Sequence, residues 1–158
     1  MKPRLILFLL FCFGVGSYNA YNYFTGWKWA FKQSPSLVFY SLHPGPTGAE
    51  SGLVYERNFS GAVLDKVVVS DPAEKEQLIA AAEQATTLTG RSSMASCFNP
   101  RQAISTPDRK TIVLLCFECG QVSVRTPRGV HEDFINRGAK PLFDSLVRKY
   151  GLKTDPAN

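Results

Sequence analysis

The spacing of apolar positions changes several times along the chain, and each change marks an expected element. Leu5 to Val15 is an unbroken apolar run behind Lys2 and Arg4. After the break at Ser34-Pro35-Ser36, Leu37-Val38-Phe39-Tyr40 reads as a short strand. His43-Pro44-Gly45-Pro46-Thr47-Gly48 is a loop, since two prolines and two glycines continue neither sheet nor helix. Leu53-Val54-Tyr55 and Val63–Val69 are two further strand candidates, separated by the turn-like Asn58-Phe59-Ser60-Gly61.

The period then shifts to that of a helix. Asp71 is placed to cap it, Pro72 suits its first turn, and Glu74 sits three residues after the cap. Leu78, Ala81, Ala82, Ala85 and Leu88 or Thr89 recur on one face, with Gly90 as the expected stop. Ala103-Ile104-Ser105 and Thr111–Phe117 read as strands on either side of a turn at Thr106–Lys110, and Val122 and Val124 alternate in another after Gly120. A last helix starts near Pro141, has Leu142, Phe143, Leu146, Val147 and Tyr150 as its apolar face, carries Arg148 and Lys149 in its final turn and stops at Gly151. The predicted order is βββ-α-βββ-α, an α+β fold with a mainly antiparallel sheet and two helices on one side, after an N-terminal signal or anchor.

The leader sets the domain limits. Residues 1–17 form a signal peptide or membrane anchor, 18–35 an aromatic-rich segment, and 36–158 a single α+β domain. The Leu5–Val15 run has the length of a signal-peptide core and is short for a bilayer-spanning helix, which needs about 20 residues. Gly14, Gly16 and Ser17 follow it, and cleavage after Ser17 would set Val15 and Ser17 where signal peptidase reads. Cys12 falls inside the run and lacks the small preceding residue that lipoprotein processing requires. Tyr18, Tyr21, Tyr23, Phe24, Trp27, Trp29 and Phe31 come next, with Lys28 and Lys32 among them. Such rings settle at membrane headgroups, so an uncleaved leader would touch the membrane through Leu5–Phe31; alternatively the same rings are the first packed segment of the domain. Either way the protein is exported, and it is periplasmic or anchored to the cytoplasmic membrane facing outward.

Composition excludes one class of partner. Lys2 and Arg4 account for two of the 18 basic residues, so a chain without its leader keeps a net charge of +3 against 13 acids. Arg91, Arg101, Arg109, Lys110, Arg125, Arg128 and Arg137 are scattered and form no run that would track phosphates, which argues against nucleic acid.

Chemistry concentrates at the cysteines, in Cys97-Phe98-Asn99-Pro100-Arg101 and Cys116-Phe117-Glu118-Cys119-Gly120. Over Val67 to Leu152 these segments resemble a group of exported bacterial proteins that pair Cys-Phe-x-Pro-Arg-His with Cys-Phe-Glu-Cys and end in a Pro-led helix. The resemblance implies kinship and carries no activity. Gln102 stands where that group has His, which weakens a metal site or general base built on that position.

Three readings of the cluster stay open. The first is a disulfide, favoured by an oxidising compartment. A turn centred on Asp108 sets Cys97 opposite Cys119, and a slip of three sets it opposite Cys116. Cys116 and Cys119 would point to opposite faces of one extended strand unless Gly120 forced a turn. The second is a zinc site of Cys97, Cys116 and Cys119 with His131 or His43, although a strand-borne CxxC is a poor knuckle. The third is a reactive thiol, with Cys97 as nucleophile and His131 as base, or a redox CxxC. His131-Glu132-Asp133 follows Pro127-Arg128-Gly129 and reads as solvated loop, and His43 reads as a turn residue. With no paired carboxylates, phosphate-cradling loop or nucleophile elbow in the sequence, the leading expectation is a non-enzymatic envelope domain that binds a protein partner and needs no cofactor. The alternative is a thiol- or metal-dependent enzyme centred on Cys97, Cys116 and Cys119.

Overall fold

A computed structural model of the chain describes residues 26–43, 54–55, 59–60, 62–87 and 98–154. Six antiparallel strands form one sheet: β1 (Leu37–His43), β4 (Ala62–Val69), β5 (Gln102–Ser105), β6 (Ile112–Cys116), β7 (Gln121–Thr126) and β8 (Gly129–Phe134), in the order β4-β1-β5-β6-β7-β8. Among the described residues the short strands β2 (Val54–Tyr55) and β3 (Phe59–Ser60) pair with each other alone. Three helices accompany the sheet: α1 over residues 26–33, α2 (Pro72–Thr86) and α3 (Lys140–Lys149), the last entered through a 3₁₀ turn at Arg137–Ala139. The class is α+β, as expected, with a different element count.

Alternation along the strands gives the sheet two buried faces. Leu37, Phe39, Val69, Ile104, Val113, Leu115, Val122 and Val124 meet all three helices. Leu78, Ala81, Ala82 and Ala85 of α2 pack there as the alanine-rich stripe predicted, together with Ile79. From α3 come Phe143, Leu146 and Val147, and Phe143 stands 5.5 Å from Phe117 and 6.2 Å from Phe39, centroid to centroid. Val38, Tyr40, Leu42, Ala103, Ile112 and Leu114 form a second cluster on the opposite face, with Val63 and Phe98 packed partly against it.

Helix α1 is an addition to the expected order. Trp27 and Phe31, one turn apart, meet edge to face at 5.3 Å and are buried in the helix-side core, so these two rings belong to the domain's packing. Lys75 of α2 holds the end of α1, donating to the carbonyls of Ser34 at 2.7 Å and Lys32 at 3.3 Å, where the helix dipole favours a cation. Lys28 pairs with Glu83 of α2. The leader and Tyr18, Tyr21, Tyr23 and Phe24 lie outside the described residues, and no described helix is long and apolar enough to cross a membrane.

The ends of α2 and α3 follow their sequence signals in part. The Asp71 carboxylate accepts from the Glu74 N–H at 2.9 Å and Pro72 occupies the first turn. Helix α2 stops at Thr86, before the expected Gly90, which lies outside the described residues. The Thr86 and Thr87 hydroxyls turn back onto the carbonyls of Ala82 and Glu83 at 2.8–3.1 Å. At the end of α3, Gly151 has φ 62°, and the N–H groups of Gly151 and Leu152 bond the carbonyls of Arg148 and Val147. This is a Schellman closure, which glycine adopts without a Cβ clash.

Three expectations are corrected. Leu53–Tyr55 was expected in the main sheet, but Val54–Tyr55 pairs with Phe59–Ser60, residues expected to form a turn. His131-Glu132-Asp133 lies in β8, an edge strand, because Thr126 and Gly129 face each other across Pro127-Arg128 and close a hairpin. His43 ends β1 opposite Ala62, while the rest of its predicted loop lies outside the described residues.

Candidate cysteine site

The hairpin between β6 and β7 builds the site. Strand β6 ends at Cys116, which faces Gln121 at the start of β7, and Phe117–Gly120 form the connection. Gly120 has φ 72°, the left-handed backbone that reverses the chain at low steric cost. The reversal brings Cys116 and Cys119 to a Cα separation of 5.2 Å, and they form a disulfide. This is the pairing that an extended strand would forbid. The expected pairing of Cys97 with Cys119 or Cys116 gives way to Cys116–Cys119, and Cys97 itself lies outside the described residues.

The β5–β6 register also differs from the expected one. Gln102 faces Leu115 and Ser105 faces Ile112, one residue displaced from a turn centred on Asp108. That turn is tied by the Asp108 carboxylate, which accepts from the Thr106 hydroxyl at 2.6 Å and the Lys110 N–H at 3.1 Å. These two donors hold its pKa below the usual carboxylate value, the Thr106 hydroxyl contributing most.

Both sulfurs are buried, Cys116 at 0% and Cys119 at 3% exposure. Each accepts from a backbone amide: the Cys119 N–H reaches Cys116 Sγ at 3.1 Å, and the Asn99 N–H reaches Cys119 Sγ at 3.3 Å. Phe117 drops into the helix-side core, while Glu118 is exposed and its carbonyl accepts from Arg137 at 3.3 Å. The Gly120 carbonyl accepts from the Ile135 N–H at 3.1 Å, and the Arg101 N–H bonds the Leu115 carbonyl at 3.0 Å. Two stretches of chain, 99–101 and 135–137, therefore pin the loop.

His131 is not part of this cluster. It faces Val124 and so shares the helix-side face, whereas Cys116 continues the opposite row of Ile112 and Leu114. Cys116 faces Gln121, and Gln121 faces Phe134, three residues from His131 on β8. The offset is roughly 10 Å along the strands and two strand spacings of ~4.8 Å across them. His131 Nε2 instead lies 3.5 Å from Asp133 Oδ2. His43 lies on β1, two strands from β6 in the sheet. Among the described residues no three His, Cys, Asp or Glu side chains gather as metal ligands would. Gln102 lies on β5 between Ser41 and Leu115, and its buried Oε1 has no hydrogen-bond donor among the described residues.

The Asn99 contact has no signal in the sequence, whereas a turn at Gly120 was among the expectations. The signal for the turn was Gly120 directly before the alternation of Gln121-Val122-Ser123-Val124. The chain matches no family model, no curated protein and no solved structure.

Proposed function

We propose that the chain is an exported or membrane-anchored envelope protein whose α+β domain is a non-enzymatic binding or accessory module for an envelope protein partner. The observation that carries this reading is the Cys116–Cys119 disulfide, buried at both sulfurs and held in a hairpin. Disulfides persist in oxidising compartments and are rare in the cytosol, and buried cysteines are inert toward exchange. The basic n-region and apolar Leu5–Val15 run supply the route of export.

Charged side chains in the described residues also support a structural role. Asp71 caps α2, Asp108 ties the β5–β6 turn, and Glu74 joins Lys149 at 2.9 Å between α2 and α3. The test is a reporter fused after Asn158 that works only outside the cytoplasm. An active fusion is expected, and activity of a cytoplasmic reporter alone would overturn the proposal.

A second reading rests on the two amides that point at the sulfurs. On reduction they would favour the thiolates, as a thiol-dependent enzyme requires. Equilibration of the protein with a glutathione redox buffer separates the two. A structural disulfide stays oxidised, and a catalytic couple titrates with the buffer.

A further inference from the structure

The two tryptophans of the chain lie two residues apart on α1, and the fold treats them oppositely. Trp27 is 1% exposed and Trp29 is 68% exposed. A two-residue step turns a helix by roughly 200°, so burial of Trp27 and Phe31 fixes Trp29 on the outer side. Lys32 and Gln33 are exposed with it, three and four residues on, which gives α1 an outer stripe of one aromatic ring, one cation and one amide. The orientation is braced by the Lys28–Glu83 pair and by Lys75 at the end of the helix.

We infer that Trp29 is the point at which the domain rests on the headgroup layer of its own membrane. This rests on the proposal that the leader stays uncleaved and holds the protein in a bilayer. Residues 16–25 alone separate that run from α1. Ten residues reach at most roughly 35 Å when extended and roughly 15 Å when helical, so an inserted leader keeps α1 beside the surface. An indole with an apolar body and an N–H donor partitions to that layer, and Lys32 beside it suits anionic headgroups. Of the aromatic segment's described rings, Trp29 makes the contact and Trp27 and Phe31 hold the helix to the domain.

The test uses the full chain reconstituted in phosphatidylcholine–phosphatidylglycerol vesicles whose acyl chains carry bromine near the headgroup. Brominated lipid is expected to remove roughly half the wild-type tryptophan emission, since one of the two tryptophans lies within its reach. Trp29→Phe leaves buried Trp27 as the sole emitter and is expected to show no quenching. Equal quenching of wild type and Trp29→Phe, in protein that resists alkaline extraction from the vesicles, would overturn the Trp29 contact and leave the anchor standing. Full extraction at alkaline pH would overturn the anchor and the contact with it.

Discussion

The backbone N–H of Asn99 points at Sγ of Cys119, 3.3 Å away. The contact binds the segment carrying Phe98 and Pro100 to the hairpin that the disulfide closes, and Phe98 packs against the second face of the sheet. The disulfide therefore organises a corner where three stretches of chain meet, beyond the hairpin itself.

Replacing both cysteines, as Cys116→Ala with Cys119→Ala, is expected to lower stability by about 2 kcal/mol. That is the chain-entropy value for so short a loop, below the ~3 kcal/mol of a 15-residue one. Urea unfolding of the two proteins measures it. An unchanged midpoint would show that the cross-link adds nothing to the folded state.

The split of α1 into an inner and an outer face makes a paired prediction. Phe31, fully buried against Trp27, is expected to cost about 3–5 kcal/mol when changed to alanine. Trp29→Ala should change the unfolding free energy by no more than about 0.5 kcal/mol. Comparable losses from both would mean that α1 does not pack as described.

Two carboxylates contribute to the acid limb of stability. The backbone amides of Lys153 and then Lys66 hold Asp65 below its usual pKa, and the Thr106 hydroxyl does the same for Asp108. A depressed folded-state pKa means that protonation favours the unfolded chain, so this stabilisation is present at neutral pH. It is lost as pH falls below about 4 and through the lowered values. Melting temperatures between pH 7 and pH 2 should fall more steeply in wild type than in Asp65→Asn with Asp108→Asn, which starts lower at pH 7. Parallel curves would contradict the assignment.

The helix-side core was legible because its elements repeat strongly: the alanine stripe of α2, the Phe143-Leu146-Val147 face of α3 and the Ile112–Cys116 run. Strand β8 was hidden because Gly129-Val130-His131-Glu132-Asp133-Phe134 is polar at three successive positions, two of them carboxylates. Those charges suit an edge strand, where they discourage pairing with another chain, yet they mimic a solvated loop. Helix α1 was hidden because its aromatics fit a membrane belt and a core equally well, and only packing separates Trp27 from Trp29. The cysteine pairing turned on one backbone angle. Extending β6 through Phe117 sets Cys116 and Cys119 on opposite faces, and the left-handed Gly120 brings them together.

Non-reducing peptide mapping of protein recovered from outside the cytoplasm tests the disulfide and its compartment together. Trypsin cuts after Lys110 and Arg125, which places Cys116 and Cys119 in one peptide, and Cys97 falls in another ending at Arg101. The expected result is a 111–125 peptide two hydrogens lighter than the dithiol and inert to alkylation before reduction. A doubly alkylated 111–125 peptide, or one cross-linked to the peptide bearing Cys97, would contradict it.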